Sequence, residues 1–85
     1  MHLLLVEDDK LVAEGLCRLL RQQGYSVEHC ASIKSAMQWL ENDEIELLVL
    51  DLGLPDGDGI DVLKHVKKHR PNLPVVILTH LISNR

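Results

Sequence analysis

Leu47-Leu48-Val49-Leu50 runs without a polar interruption into Asp51, and then into Leu52-Gly53-Leu54-Pro55-Asp56-Gly57-Asp58-Gly59. Four consecutive apolar residues describe a strand buried on both faces, the pattern of a parallel sheet covered by helices. The Gly, Pro and Asp residues that follow cannot continue a strand and turn over the sheet edge. Asp51 therefore ends a rigid element, at the edge where open α/β sheets hold their ligands, and is expected to face solvent. An Asp in that place also serves as a turn residue or a helix cap. Asp58 fits the cap better, with Gly59 in the first turn of the next helix and Asp61 three residues on. One carboxylate decides little without a second acidic group.

That group follows another apolar run. Leu3-Leu4-Leu5-Val6 enters Glu7-Asp8-Asp9 directly. Three adjacent acids repel one another, so a fold that holds them together often supplies a cation. They equally suit the first turn of a helix, where the dipole favours negative charge. A further apolar run, Val75-Val76-Ile77-Leu78, ends at Thr79.

Helical spacing fills the intervals. Between Lys10 and Gln23, Val12, Leu16, Leu19 and Leu20 form one stripe with Leu11 beside it and Cys17 on its flank; Gly24 closes the helix. Tyr25 to Cys30 has the mixed polarity of an edge strand. Ser32 caps a helix whose inward face is Ile33, Ala36, Met37 and Leu40, with Trp39 at its margin. Asn42 to Glu46 reads as a polar turn. Ile60, Leu63 and Val66 define a third helical face, ending near His69-Arg70-Pro71. His65 and His69 stand four apart, as metal ligands on a helix do. Lys64, Lys67, Lys68 and Arg70 surround them, so a solvated basic face is expected instead.

Strand and helix alternate three times before a last strand, which right-handed crossovers convert into an open parallel α/β sheet. All strand C-termini then share one edge. Glu7, Asp8, Asp9, Asp51 and Thr79 converge there, suggesting an oxygen-ligated divalent ion beside a nucleophile. Mg²⁺ is the natural choice, because it takes one or two carboxylates and leaves positions for phosphate and water.

Length and composition narrow the rest. Eighty-five residues allow one domain. A net charge of −4 gives no electrostatic reason to bind nucleic acid or an anionic membrane. No signal peptide or membrane-spanning run is expected. Cys17 and Cys30 lack metal or redox spacing, which fits free thiols in a reducing cytoplasm.

Leu4-Leu5-Val6-Glu7-Asp8-Asp9, then Leu50-Asp51-Leu52-Gly53-Leu54-Pro55-Asp56-Gly57-Asp58-Gly59, then Ile77-Leu78-Thr79 resemble the receiver domain of bacterial two-component response regulators. The Gly-Leu-Pro-Asp-Gly-Asp-Gly loop looks most like the subfamily with a C-terminal winged-helix DNA-binding domain. The resemblance implies a flavodoxin-like fold of strand order 2-1-3-4. It implies that Asp51 is the phosphoacceptor for a sensor histidine kinase and relays the signal to a transcriptional output domain. It further implies Mg²⁺ bound directly by Asp8, through water by Glu7, and by Asp51 and the Gly53 carbonyl. Thr79 is then the switch hydroxyl. By the same resemblance the chain is a phosphoacceptor and not an enzyme, with at most slow self-dephosphorylation.

Members of that family continue past the switch Thr through a helix, a fifth strand bearing a Lys and a last helix. The expectation is accordingly a truncated receiver over residues 1–79 and an atypical tail over 80–85. Phosphorylation without the Lys is expected to be slow. An uncovered fourth strand and one bare sheet face are expected to drive homo-association, with His80 to Arg85 near the contact. That face would carry Leu48, Leu50, Val76 and Leu78 or the other parity. Two other functions compete: a module that associates without phosphorylation, and a Mg²⁺-dependent phosphatase. The phosphatase would need a general acid where Gly53 stands. No nucleotide-binding loop is present.

Overall fold

The apolar runs form the middle of a sheet. The computed structural model describes residues 1–78. In chain order the elements are β1 (His2–Val6), α1 (Lys10–Gln22), β2 (Ser26–Cys30), α2 (Ile33–Trp39), β3 (Leu47–Asp51), β4 (Gly53–Leu54), β5 (Gly57–Asp58), α3 (Gly59–His69) and β6 (Val75–Leu78). The main sheet is parallel throughout with order β2-β1-β3-β6, which is the expected 2-1-3-4 arrangement. Among the described residues, no helix is long and apolar enough to cross a membrane. Thr79 and the tail from His80 lie outside the described residues.

Each face of the sheet has its own core. Leu4, Val6, Leu48 and Leu50 pack with Ala36 of α2, its C-cap Leu40, and Val62 and Val66 of α3. Leu3, Leu5, Val27 and Val49 pack with Ala13 and Cys17 of α1. Fully burying a Leu or Val stabilises by about 1.5–3 kcal/mol, so the unbroken runs carry much of the fold. Cys17 and Cys30 are free and buried in opposite cores. Burial pushes the Cys30 thiol up to about 11.

Several local expectations need correction. The inward face of α1 is centred on Ala13 and Cys17, while Leu11 and Leu19 are 80% and 59% exposed. The two small side chains let the helix settle close to the sheet, which turns the larger residues to its flank. In α3 the fully buried residues are Val62 and Val66, with Leu63 and Ile60 only half-buried. The turn over Asn42 to Glu46 is not wholly polar: Ile45 is fully buried, and Arg70 donates to the carbonyls of Ile45 (2.8 Å) and Asn42 (3.3 Å). Register pairs Leu48 with Val75 and Leu50 with Ile77. One face therefore carries Leu48, Leu50, Val75 and Ile77, and the other Val49, Val76 and Leu78. The expected grouping had mixed the two.

The stretch after Asp51 is a small hairpin and not an open loop. β4 and β5 pair antiparallel, Gly53 opposite Asp58 and Leu54 opposite Gly57, with Pro55-Asp56 at the turn. Asp56 reaches across to α2, where its Oδ1 accepts from the Ile33 amide (2.8 Å) and its Oδ2 from the Lys34 amide (3.2 Å). The Ile33 bond, with help from Lys34, holds the Asp56 carboxyl below the ordinary carboxylate value. A carboxyl depressed in the folded state adds stability that is present above its unfolded value and lost as pH falls through the folded one. The melting temperature is therefore expected to drop on acidification below the usual carboxylate range. Asp56→Asn should melt lower at neutral pH and show a shallower acid slope, and parallel slopes would refute this assignment.

Candidate functional site

Parallel pairing of β1 and β3 sets Val6 beside Leu50, so the residues that follow, Glu7 and Asp51, emerge side by side. One carboxylate oxygen from each of Glu7, Asp8 and Asp51 lies within 4.8 Å of the other two. Glu7 is fully buried and Asp8 exposed. Asp51, expected to face solvent, is only 4% exposed. The start of α3 folds back over the strand end, with the Gly59 amide donating to the Leu52 carbonyl at 3.0 Å, and leaves Asp51 little open surface.

Local hydrogen bonds separate the roles of these acids. Asp9 is the N-cap of α1, its Oδ1 accepting from the Val12 amide at 3.1 Å, so the third acid of the run is structural. Glu7 Oε2 accepts from the Asp9 amide at 3.0 Å, and Asp51 Oδ1 from the Gly53 amide at 3.1 Å. Asp58 caps α3 through the Ile60 amide at 2.9 Å, as its position implied. The acidic run is thus divided: Asp9 caps α1, ahead of its first turn, while Glu7 and Asp8 lie beside Asp51.

The sequence reading passed over His29. Its Nε2 lies 2.8 Å from the Glu7 carbonyl oxygen, while the Glu7 amide donates to the Cys30 carbonyl at 3.0 Å. His29 stands near the carboxyl end of β2, the one feature of the sequence that marks it. The His65 and His69 rings touch at a tilt of 41°, with centroids 4.5 Å apart. Among the described residues, no third metal-ligating side chain joins them. A groove of ≈ 790 Å³ between α1 and β2 is lined by Lys10, Glu14, Arg18, Arg21 and His29. It is an open trough.

The donor set is all oxygen, which suits a hard cation such as Mg²⁺ and not a thiolate- or imidazole-seeking metal. Two buried carboxylates beside a third are costly unless positive charge offsets them. The residues present therefore fit a divalent ion.

Known proteins share this sequence pattern and fold. The family model for the response regulator receiver domain matches residues 3–84. The transcriptional regulatory protein BasR of Escherichia coli (strain K12) is 42% identical over 79 residues, covering 93% of this chain and 36% of BasR. The solved non-phosphorylated HemR receiver domain from Leptospira biflexa superposes with a TM-score of 0.87 at 40% identity, over 92% of this chain and 63% of that one. The MaeR response regulator bound to beryllium trifluoride gives 0.86 at 29% identity, over 94% of this chain and 67% of that one. The chain thus spans about a third of the length of the curated relatives it matches.

Proposed function

Because the chain belongs to the response regulator receiver domain family, we propose that Asp51 accepts a phosphoryl group from a sensor histidine kinase and relays the change to an output domain. One carboxylate oxygen of Asp51 attacks phosphorus as the bond to the kinase imidazole breaks, leaving an acyl phosphate on Asp51 and a free imidazole. Glu7, Asp8, Asp51 and the backbone carbonyl of Gly53 would hold Mg²⁺. When bound, that ion supplies positive charge against the transferring group. Thr79, the proposed switch hydroxyl, follows β6 directly in sequence. The chain's own part is positional: β3 fixes Asp51 and the Gly53 amide orients its Oδ1, so little reorganisation precedes attack. We place this chemistry in the cytoplasm, where Cys17 and Cys30 stay reduced.

The observation that carries the reading is Asp51, nearly enclosed at the end of β3 and within 4.8 Å of Glu7 and Asp8. Incubation with acetyl phosphate and Mg²⁺ is expected to add one phosphoryl mass to the chain. Asp51→Asn or a chelator should abolish it. Beryllium trifluoride, which MaeR binds, should shift the amide resonances of Asp51 and Gly53. An unaltered chain that responds to neither reagent would refute the proposal.

Self-association along β6 is the second part of this reading. Val76 and Ile77 are 48% and 36% exposed, and among the described residues β6 has a strand neighbour only on its β3 side. Such an edge pairs readily with another strand. Light scattering over a concentration series is expected to show a dimer or larger species; a folded monomer at every concentration would end this part.

A further inference from the structure

The hairpin after Asp51 is too short to hold itself. Its strands have two residues each, and an isolated two-stranded hairpin is marginal in water. Leu54, buried in the core with Leu50 and Val62, fixes one side. The other fixed point is Asp56, whose two carboxylate oxygens take the amides of Ile33 and Lys34. Those are the first two residues of α2, whose next amide, Ser35, is already bound by the N-cap Ser32 at 3.2 Å. Gly57 packs beside the same point, since a Cβ there would stand 2.9 Å from Ile33 Cδ1. Gly53, at the other end of the hairpin, donates to Asp51 Oδ1. A continuous path therefore runs from α2 through Asp56 and the hairpin to Gly53 and the acids.

We propose that Asp56 is a positioning residue for the acidic site: by locking the hairpin tip to α2, it holds the Gly53 backbone where the site requires it. The inference rests on the reading of Gly53 as a metal ligand given above. It assigns Asp56 no contact with the metal or with phosphate. Outer partners that orient metal ligands typically change affinity by about 10–100-fold when removed. Asp56 acts through the backbone, so the lower end applies.

The test compares three variants by Mg²⁺ titration followed in NMR amide shifts, and by amide hydrogen exchange without metal. Asp56→Ala is expected to weaken Mg²⁺ binding about tenfold and to speed exchange at Gly53 and Asp58. Ser32→Ala removes the other α2 cap, so it should lower the melting temperature while leaving Mg²⁺ affinity unchanged. Asp56→Asn removes the same charge as alanine but keeps an acceptor oxygen, so it should retain most of the affinity and the exchange protection, even if the alanine variant does not fold. Equal weakening in the Asn and Ala variants would reduce the effect to lost charge and overturn the proposal. So would normal affinity in a folded Asp56→Ala variant together with normal exchange at Gly53. If the unaltered chain binds no Mg²⁺, the site reading fails along with this one; binding there with no loss in the variants overturns this one alone.

Discussion

Gly59→Ala is expected to destabilise the chain and disturb Asp51, whereas Gly15→Ala should stabilise it. Both glycines lie in helices, where alanine is intrinsically better by about 1 kcal/mol. At Gly15, in the middle of α1, nothing lies within 4 Å of where a Cβ would stand, so propensity decides. At Gly59 that Cβ would meet Leu52 Cα at 2.7 Å, the Asp51 carbonyl oxygen at 2.9 Å and the Leu52 carbonyl oxygen at 3.0 Å. These are backbone atoms of the last residue of β3 and the one after it, and no rotamer change relieves them. Forcing extra volume into a packed site costs about 1–3 kcal/mol, which outweighs the propensity gain, smaller still in a first turn. For a domain of this size each kcal/mol shifts the melting temperature by roughly 4–8 °C. Thermal melts should therefore move in opposite directions for the two variants. Because the displaced atoms belong to Asp51 and Leu52, phosphoryl labelling should fall in Gly59→Ala and stay unchanged in Gly15→Ala. Two upward shifts would mean that α3 does not approach the strand so closely.

What the sequence revealed and what it hid follow from range. Leu3 to Val6 and Leu47 to Leu50 were legible because a strand buried on both faces has no polar alternation, and a parallel sheet then brings Glu7, Asp8 and Asp51 to one edge without further information. The caps Ser32 and Asp58 were legible because each acts within three residues of its own position, whereas Asp9 was read only as part of an acidic first turn and is the N-cap itself. The inward face of α1 was not. Apolar size pointed to Leu11 and Leu19, but closeness to the sheet favoured Ala13 and Cys17. Nor could spacing reveal Asp56, whose partners lie 22 and 23 residues away, or Arg70, which reaches back 25 residues to the Ile45 carbonyl. The enclosure of Asp51 depends on the same kind of long-range closure, α3 returning over the strand that precedes it.

Asp8→Asn is expected to reverse its rank with the unaltered chain according to whether Mg²⁺ is present. Without a divalent ion, the Asp8 carboxylate stands within 4.8 Å of those of Glu7 and Asp51. Like charges 4 Å apart repel by about 1 kcal/mol in water and about 4 kcal/mol at the effective dielectric of a protein surface. Asp8 is exposed, so the lower figure applies. Among the described residues its side chain holds no capping bond, that work falling to Asp9, so neutralising it removes repulsion at little structural cost. The variant should then melt higher in chelator. An ion that binds only the folded state stabilises it by about 2.7 kcal/mol at a hundredfold excess over its dissociation constant. Asn offers a neutral oxygen in place of a carboxylate and so binds the ion far more weakly, losing most of that gain at the same concentration. The variant should therefore pass from about 1 kcal/mol above the unaltered chain to about 2 kcal/mol below it. Asp9→Asn is the control: it removes the same charge one residue along and leaves a side chain that caps a helix as well as Asp. It should match the unaltered chain in both conditions. If Asp8→Asn and Asp9→Asn behaved alike, net charge and not the cluster would govern stability, and Asp8 would have no part in holding the ion.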